Sequence, residues 1–203
     1  GSGEKAFVSG TDIAEFAGFT ADDGVAYERR MEATMTAIEA IRVPVIAAIA
    51  GACTGGGSAL AACCDLRVGA QNVRIGVPIA RTLGNALSPG NVARVGRLIG
   101  LDAVKTLVMT GQLLGAAEAQ RAGFLTHVVA EDESLDGKAL ALAYDLTALA
   151  PLTLRATKET VRRMRPVELG DYEDLLRMVY GSRDFAEGVA AFTSRRQPRW
   201  EGR

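Results

Sequence analysis

Three consecutive glycines, Gly55 to Gly57, stand between a wholly apolar run, VIAAIAG, and a stretch of small apolar residues, SALAACC. The first run has strand length and no charge, as a strand buried on both faces requires. The second reads as a buried helix. Adjacent glycines cost backbone entropy on folding, so they persist where a backbone must turn sharply or come close to something. A strand–glycine–helix junction also gathers free backbone N–H groups at one point, which favours an anion or a developing oxyanion. No Gly-Lys-Ser/Thr closes the run, the glycines fall as GxxxGGG, and Ser58 lies in GGSAL. These patterns exclude a nucleotide phosphate loop, a dinucleotide fingerprint and a nucleophile elbow. The glycines alone are equally compatible with simple close packing of a helix on a strand.

The flanking sequence extends this junction into a fold class. KAFVSG is a short strand-like run ending at Gly10, followed by a turn or short helix and a polar loop in TDIAEFAGFTADDG. Val25, Met31, Met35, Ile38 and Ile41 recur at helical spacing, which predicts an amphipathic helix over 24–42 that Pro44 stops. DLRVGA is a further strand, and the alternation of strands and helices implies an α/β fold with mostly parallel strands. PGNVARVGRLIG and LDAVKTLVMTG read as two helices divided by Gly100, GAAEAQRAG as another stopped at Gly123, and FLTHVVA as a strand. From about residue 135 onward the pattern is helical, most clearly in APLTLRATKETVRRM with Pro151 near its start. The expected organisation is an α/β core over 1–133 and a helical region over 134–203. The locally basic tail, RRQPRWEGR, reads as a solvated end.

Composition narrows the function. Over 203 residues the net charge is −1, so there is no basic field for nucleic acid. No uncharged apolar run reaches membrane-spanning length. The opening GSGEKAFVSG has neither the basic start nor the apolar stretch of a signal peptide. One histidine, His127, argues against histidine metal sites and a Ser-His-Asp triad. Cys53, Cys63 and Cys64 lack zinc spacing and read as small buried residues of a reducing compartment. The expectation is a cytoplasmic protein without a metal.

A second glycine turn changes the weight of the first. KAFVSGTDIAEF ends its strand at Gly10-Thr11. Two such turns can each offer one N–H to the same oxygen, an arrangement suited to a thioester whose carbonyl becomes an enolate. Losing one such donor typically costs ~2.7–4 kcal/mol of transition-state stabilisation.

The segments KAFVSGTDIAEF, PVIAAIAGACTGGGSALAACCDLRV and TGQLLGAAEAQRAGFLTHVV resemble, in order, the signature segments of the crotonase superfamily, the enoyl-CoA hydratase/isomerase family. APLTLRATKETVRR and RDFAEGVAAFTSRRQPRW resemble its C-terminal helices. The resemblance implies a spiral of ββα units followed by helices used in trimer or dimer-of-trimers assembly. It implies an acyl-CoA ligand and no cofactor beyond the CoA of the substrate. It places an oxyanion hole at the backbone N–H groups of Thr11 and Gly56, with Gly55 beside it. Ser9 and Gly10 become neighbours of the CoA adenine or pantetheine. Phe192 and Arg195 match positions that reach CoA, although for Arg195 an exposed tail charge fits equally. Measured against the family, GSGEKAF starts well inside the pattern, so the sequence is expected to be part of a longer gene product.

The chemistry departs from the family. Its hydratases use two glutamates, one in G-G-G-x-E and one in x-P-E; here those places hold Ala59 and Ile79, neither of which can move a proton. The following loop, IARTLGNALSPGN, is polar. Arg81 either holds an acyl carboxylate or makes a structural salt bridge or backbone contact, while Thr82, Asn85 and Ser88 can hydrogen-bond the acyl group. Asp12, Glu15, Asp22, Asp23 and Glu28 follow the first turn, and one of them can serve as base. Their default places are a helix cap for Asp12, a solvated loop for Asp22 and Asp23, and an exposed helix surface for Tyr27 and Glu28. Asp65 and His127 read as structural. Two functions stay open: an acyl-CoA enzyme working through an enolate with a non-standard proton carrier, or an inactive acyl-CoA-binding homologue.

Overall fold

The computed structural model describes residues 1–164 and 173–203; residues 165–172 of the expected helical region lie outside the described residues. The chain opens with strand β1, Ala6–Val8. The apolar run VIAAIAG holds its expected strand, and a second, unexpected one follows it at once. Ile46–Ile49 forms β2, the chain bends at Gly51 with φ +62°, and Ala52–Thr54 forms β3 in a different sheet. A Cβ at Gly51 would lie 2.0 Å from the Lys5 carbonyl oxygen, so glycine is required at this bend. The same step recurs from β4, Leu66–Gly69, to β5, Arg74–Gly76. Asn72 ties the two bends together: its Oδ1 accepts from Gly51 N–H at 3.0 Å and its Nδ2 donates to Glu4 O at 2.9 Å. With β6, His127–Val128, the strands form two parallel sheets in the orders β1-β3-β5 and β2-β4-β6. Each pair of bent strands is followed by a helix, giving the ββα spiral expected from the resemblance.

Helix α1, Ala21–Glu39, starts three residues before the hydrophobic periodicity does, because Thr20 and Asp23 cap each other's backbone N–H. Asp22 and Asp23 therefore belong to its first turn and not to a solvated loop, and Asp22 is ion-paired with Arg177. α2, Gly56–Cys63, follows β3 directly, and the short α3, Ile79–Thr82, follows β5. α4, Pro89–Ile99, and α5, Leu101–Thr110, are separated by Gly100 as expected, and Gly111 ends α5 in the left-handed region. α6 is Ala116–Arg121. The C-terminal region holds α7, Leu135–Thr147; α8, Pro151–Arg163; α9, Glu173–Tyr180; and α10, Arg183–Thr193. Among the described residues, no helix is long and apolar enough to cross a membrane.

Three helices share a direction, and this positions the site. Along α1, Glu28 lies beside Ser88 at the start of α4, Glu32 binds Arg94, and Glu39 binds Arg94 and approaches Arg97. The two helices therefore run parallel. α2 begins against the end of β1, where a Cβ on Gly57 would fall 1.9 Å from Val8 O, and ends near Arg94, whose charge the Cys63 thiol influences. The starts of α1, α2 and α4 thus gather at one end of the molecule.

The tail adds to its sequence reading. Arg196 forms a bidentate pair with Glu187 at 2.6 and 2.8 Å, and the same carboxylate accepts from Arg199 N–H. Asp184 accepts the N–H groups of Glu201 and Gly202 at 2.7 and 2.8 Å. Trp200 is thereby laid against Gly84 in the loop after α3. The tail is solvent-exposed as expected, yet it is tied to the chain's own α10 by the Arg196–Glu187 pair and these backbone bonds.

Candidate active site

Thr11 and Gly56 come together because β1 and β3 are neighbours in a parallel sheet and end side by side. Thr54 Oγ1 donates to Ser9 O at 3.1 Å, Gly55 N–H donates to Gly76 O at 2.9 Å, and a Cβ on Gly56 would meet nothing nearer than the Gly10 Cα at 4.0 Å. Gly10 and Gly55 hold φ values of +118° and +56°, which makes glycine necessary on both sides of the cleft. Ser58 locks the turn from beneath. Its buried hydroxyl donates within reach of Cys53 O at 2.6 Å and Gly76 O at 3.0 Å, and accepts from Gly76 N–H at 3.2 Å. α2 has no side-chain cap, and among the described residues neither Gly56 N–H nor Thr11 N–H has a protein acceptor. Ser9, Gly10, Thr11, Gly55 and Gly56 are thus assembled into one small surface.

Around this surface lies an aromatic and polar wall. Thr11 Oγ1 is hydrogen-bonded to the Tyr27 hydroxyl. Burial first, with the carboxylates of Glu28 and Glu15 adding to it, raises the Tyr27 pKa despite the Thr11 bond, so the phenol stays protonated. Phe16 stacks edge-on against Tyr27 at 5.0 Å and packs on Phe185 at 5.8 Å, which fastens α10 to the turn after Thr11. Asp12 caps that turn through Ala14 N–H at 3.0 Å, as expected.

Glu28 overturns its sequence reading. It is 4% exposed, and Tyr180 donates to its Oε1 at 2.5 Å. The hydrophobic residues used to define the α1 face conceal a stripe of Val25, Glu28, Glu32, Met35 and Glu39, which points inward. Burial raises Glu28 from an ordinary 4.5 to about 7; the Tyr180 hydrogen bond lowers it in part, as does the nearness of the Ser88 hydroxyl, and Glu32 raises it further. Folding therefore favours the protonated form. This contribution is complete below about 4.5 and is lost as pH rises through about 7. Glu28→Gln is expected to flatten the slope and to stabilise the protein at pH 8 by about 3 kcal/mol, at 1.36 kcal/mol per pKa unit. Urea unfolding at several pH values measures it, and a slope identical to the parent's would refute it.

The positions of the family's glutamates are not polar. Ala59 is wholly buried against Met35 and Cys63, and Ile79 opens α3 half-buried. In the loop beyond, Arg81 is exposed, packs beside Gly111, and has no ion pair among the described residues, so the expected structural salt bridge is absent from them. Thr82 donates its hydroxyl to Pro78 O at 3.0 Å, which occupies it locally. Asn85 Oδ1 and Ser88 Oγ are buried without a hydrogen-bond partner, close to Tyr180 and Glu28 respectively. Phe192 and Arg195 lie at the exposed end of α10, where Arg195 has a φ of +52°. Asp65 is structural, accepting from Val45 N–H at 2.7 Å and Lys158 Nζ at 2.6 Å. His127 pairs within its sheet opposite Val68. Burial pushes the Cys53 thiol up to about 12, and all three cysteines are buried and form no disulfide. A cavity of about 440 Å³ at the opposite end of the helices, bordered by Cys63, Arg97 and Lys158, includes none of the expected site residues.

Comparisons with known proteins agree with the resemblance. A family model described as enoyl-CoA hydratase/isomerase matches residues 1–203. A relative named "Probable enoyl-CoA hydratase" from Mycobacterium tuberculosis is 36% identical, covering 98% of this chain and 77% of the relative. The mitochondrial enoyl-CoA hydratase domain-containing protein 2 of Mus musculus is 32% identical, covering 97% of this chain and 69% of the relative. Among solved structures, methylmalonyl-CoA decarboxylase in complex with 2-nitronate-propionyl-CoA superposes with a TM-score of 0.89 at 28% identity. That match covers 100% of this chain and 79% of the other.

Proposed function

The chain belongs to the enoyl-CoA hydratase/isomerase family, a family of lyases and isomerases, and from that premise we propose that it acts on an acyl-CoA by stabilising a thioester enolate. The observation that carries this reading is the cleft between Gly10-Thr11 and Gly55-Gly56, where two unengaged backbone N–H groups border open space. A pure binder gains little from donors aimed at developing charge, whereas an enolate gains several kcal/mol. Tyr27 fixes the Thr11 side of the cleft through its side chain. The buried polar cluster of Glu28 and Tyr180, next to the Tyr27 that holds Thr11, further supports an enzyme over an inactive acyl-CoA-binding homologue, which the apolar surroundings of Ala59 would suit.

Within this reading CoA lies along Ser9 and Gly10 and reaches Phe192 and Arg195, while Arg81 faces the acyl group. No cofactor beyond the CoA of the substrate enters the reaction, and the proton carrier is not one of the family's two glutamates. The exposed Leu140, Tyr144, Leu152 and Met178 on α7, α8 and α9 support self-association as a homotrimer or dimer of trimers. Three buried cysteines outside any disulfide support a reducing compartment such as the cytoplasm.

Incubating the protein with butyryl-CoA in heavy water tests the reading without knowledge of the natural product. Deuterium is expected at the α-carbon, by mass spectrometry, faster than in the protein-free control. Tight CoA binding without exchange would favour the inactive homologue.

A further inference from the structure

We propose that the Glu28 carboxyl is the proton carrier of this enolate chemistry, in place of the two glutamates whose positions hold Ala59 and Ile79. The inference rests on the acyl-CoA reading above. It starts from a contrast between two polar clusters on one helix.

Arg94 is fully buried and donates to both oxygens of Glu32 at 2.7 Å, to both oxygens of Glu39 at 3.2 Å, and to Asn91 Oδ1 at 3.1 Å. That cluster is closed, as a structural network must be. One turn nearer the start of α1, the cluster around Glu28 is open. Tyr180 satisfies one carboxyl oxygen, but the neighbouring Ser88 hydroxyl, 1% exposed, and the buried Asn85 Oδ1 complete no hydrogen bond. Leaving buried polar atoms unmatched costs roughly 1–3 kcal/mol each, a cost a purely structural knot avoids. Both atoms belong to the loop that follows Pro78, and Glu28 adjoins Tyr27, whose hydroxyl holds Thr11 at the proposed oxyanion cleft. Open polar atoms, a carboxyl with no ion pair among the described residues and the cleft therefore lie at the same end of the helices.

The charged and titratable groups around Glu28 leave it free for this role. Tyr27 and Glu32 share its helix, Tyr180 faces it from α9, and Arg94 on α4 is committed to Glu32 and Glu39. The low dielectric that lifts its pKa toward 7 matches a group that must both take and return a proton near neutrality. In the step itself, the Glu28 carboxylate removes the α-proton of the thioester. The C–H electron pair moves to form the enolate, whose oxygen carries the charge at Thr11 and Gly56 N–H. The carboxylic acid then returns a proton, or a deuteron in heavy water, to carbon.

The test compares initial α-carbon exchange of butyryl-CoA across the neutral pH range in the unaltered protein, Glu28→Gln and Tyr180→Phe. The unaltered rate is expected to rise with pH through a midpoint near 7. Glu28→Gln is expected to lose about 10²–10⁴-fold in rate while still binding CoA. Tyr180→Phe retains the carboxylate but removes a hydrogen bond that lowers its pKa, so its midpoint moves to higher pH. A merely structural glutamate would not tie the midpoint to Tyr180. Exchange in Glu28→Gln at the parental rate and profile would overturn this inference and leave the enolate reading standing. Should Glu28→Gln fail to fold, an unmoved midpoint in Tyr180→Phe overturns it instead. No exchange in the unaltered protein would overturn the enolate reading and this one with it.

Discussion

A Gly56→Pro variant is expected to lose about 10²–10³ in its rate of α-carbon exchange while remaining folded. The substitution is selective because of where Gly56 sits. It is the first residue of α2, the one helical position where proline's fixed φ and missing N–H are tolerated. Its surroundings are open, with the Gly10 Cα the nearest atom to an added Cβ. What the variant removes is a single donor aimed into the cleft. The unfolding transition and the affinity for CoA are expected to stay near the parental values, since the donor strengthens only as charge develops on the thioester oxygen. Parental exchange in a variant lacking this N–H would mean that the enolate oxygen is held elsewhere.

Arg94→Met is expected to cost about 3–5 kcal/mol of folding stability, the largest effect of any single substitution away from the cleft. Arg94 is wholly buried, and its loss takes from Glu32 and from Glu39, 9% exposed, the buried cation they share, while Arg97 stays 3.6 Å from Glu39. The cost is mainly that of two crowded carboxylates that lose their shared cation rather than the intrinsic worth of the pairs. Adding Glu32→Gln and Glu39→Gln to Arg94→Met is therefore expected to recover much of the loss. Urea unfolding of the single and triple variants measures both quantities, and a loss below about 1 kcal/mol in Arg94→Met would show that the cluster is solvated.

Some elements were legible in the chain because their determinants are local. Gly100 between α4 and α5, Gly123 after α6, and Pro151 at the start of α8 mark boundaries by backbone conformation alone. The Thr11–Gly56 cleft was legible too, since it is built from two glycine turns whose strands pair. β3 and β5 escaped notice for the opposite reason. Strands of three residues are too short to display an alternation, and β3 enters a second sheet because the chain bends at Gly51, where the apolar run ends. Glu28 was read as exposed because carboxylates usually are. Its burial depends on Tyr180, 152 residues later in the chain, which no local pattern announces. The one available signal was the spacing of Glu28, Glu32 and Glu39 with Val25 and Met35 on a single helical face. The basic tail is solvated as expected, but its attachment to Asp184 and Glu187 on α10 was not legible, since no local pattern pairs the two segments.

The way that tail is fastened has an optical consequence. Trp200 is the sole tryptophan of the chain, and its ring rests on Gly84, one residue before Asn85. Indole emission therefore reports a single place: the contact between the end of the chain and the loop beside the cleft. Movement of that loop changes the environment of one fluorophore with no background from another tryptophan. By the same token, a change in indole emission during unfolding marks release of this clasp, while secondary-structure signals follow the two sheets and the parallel helices beneath it.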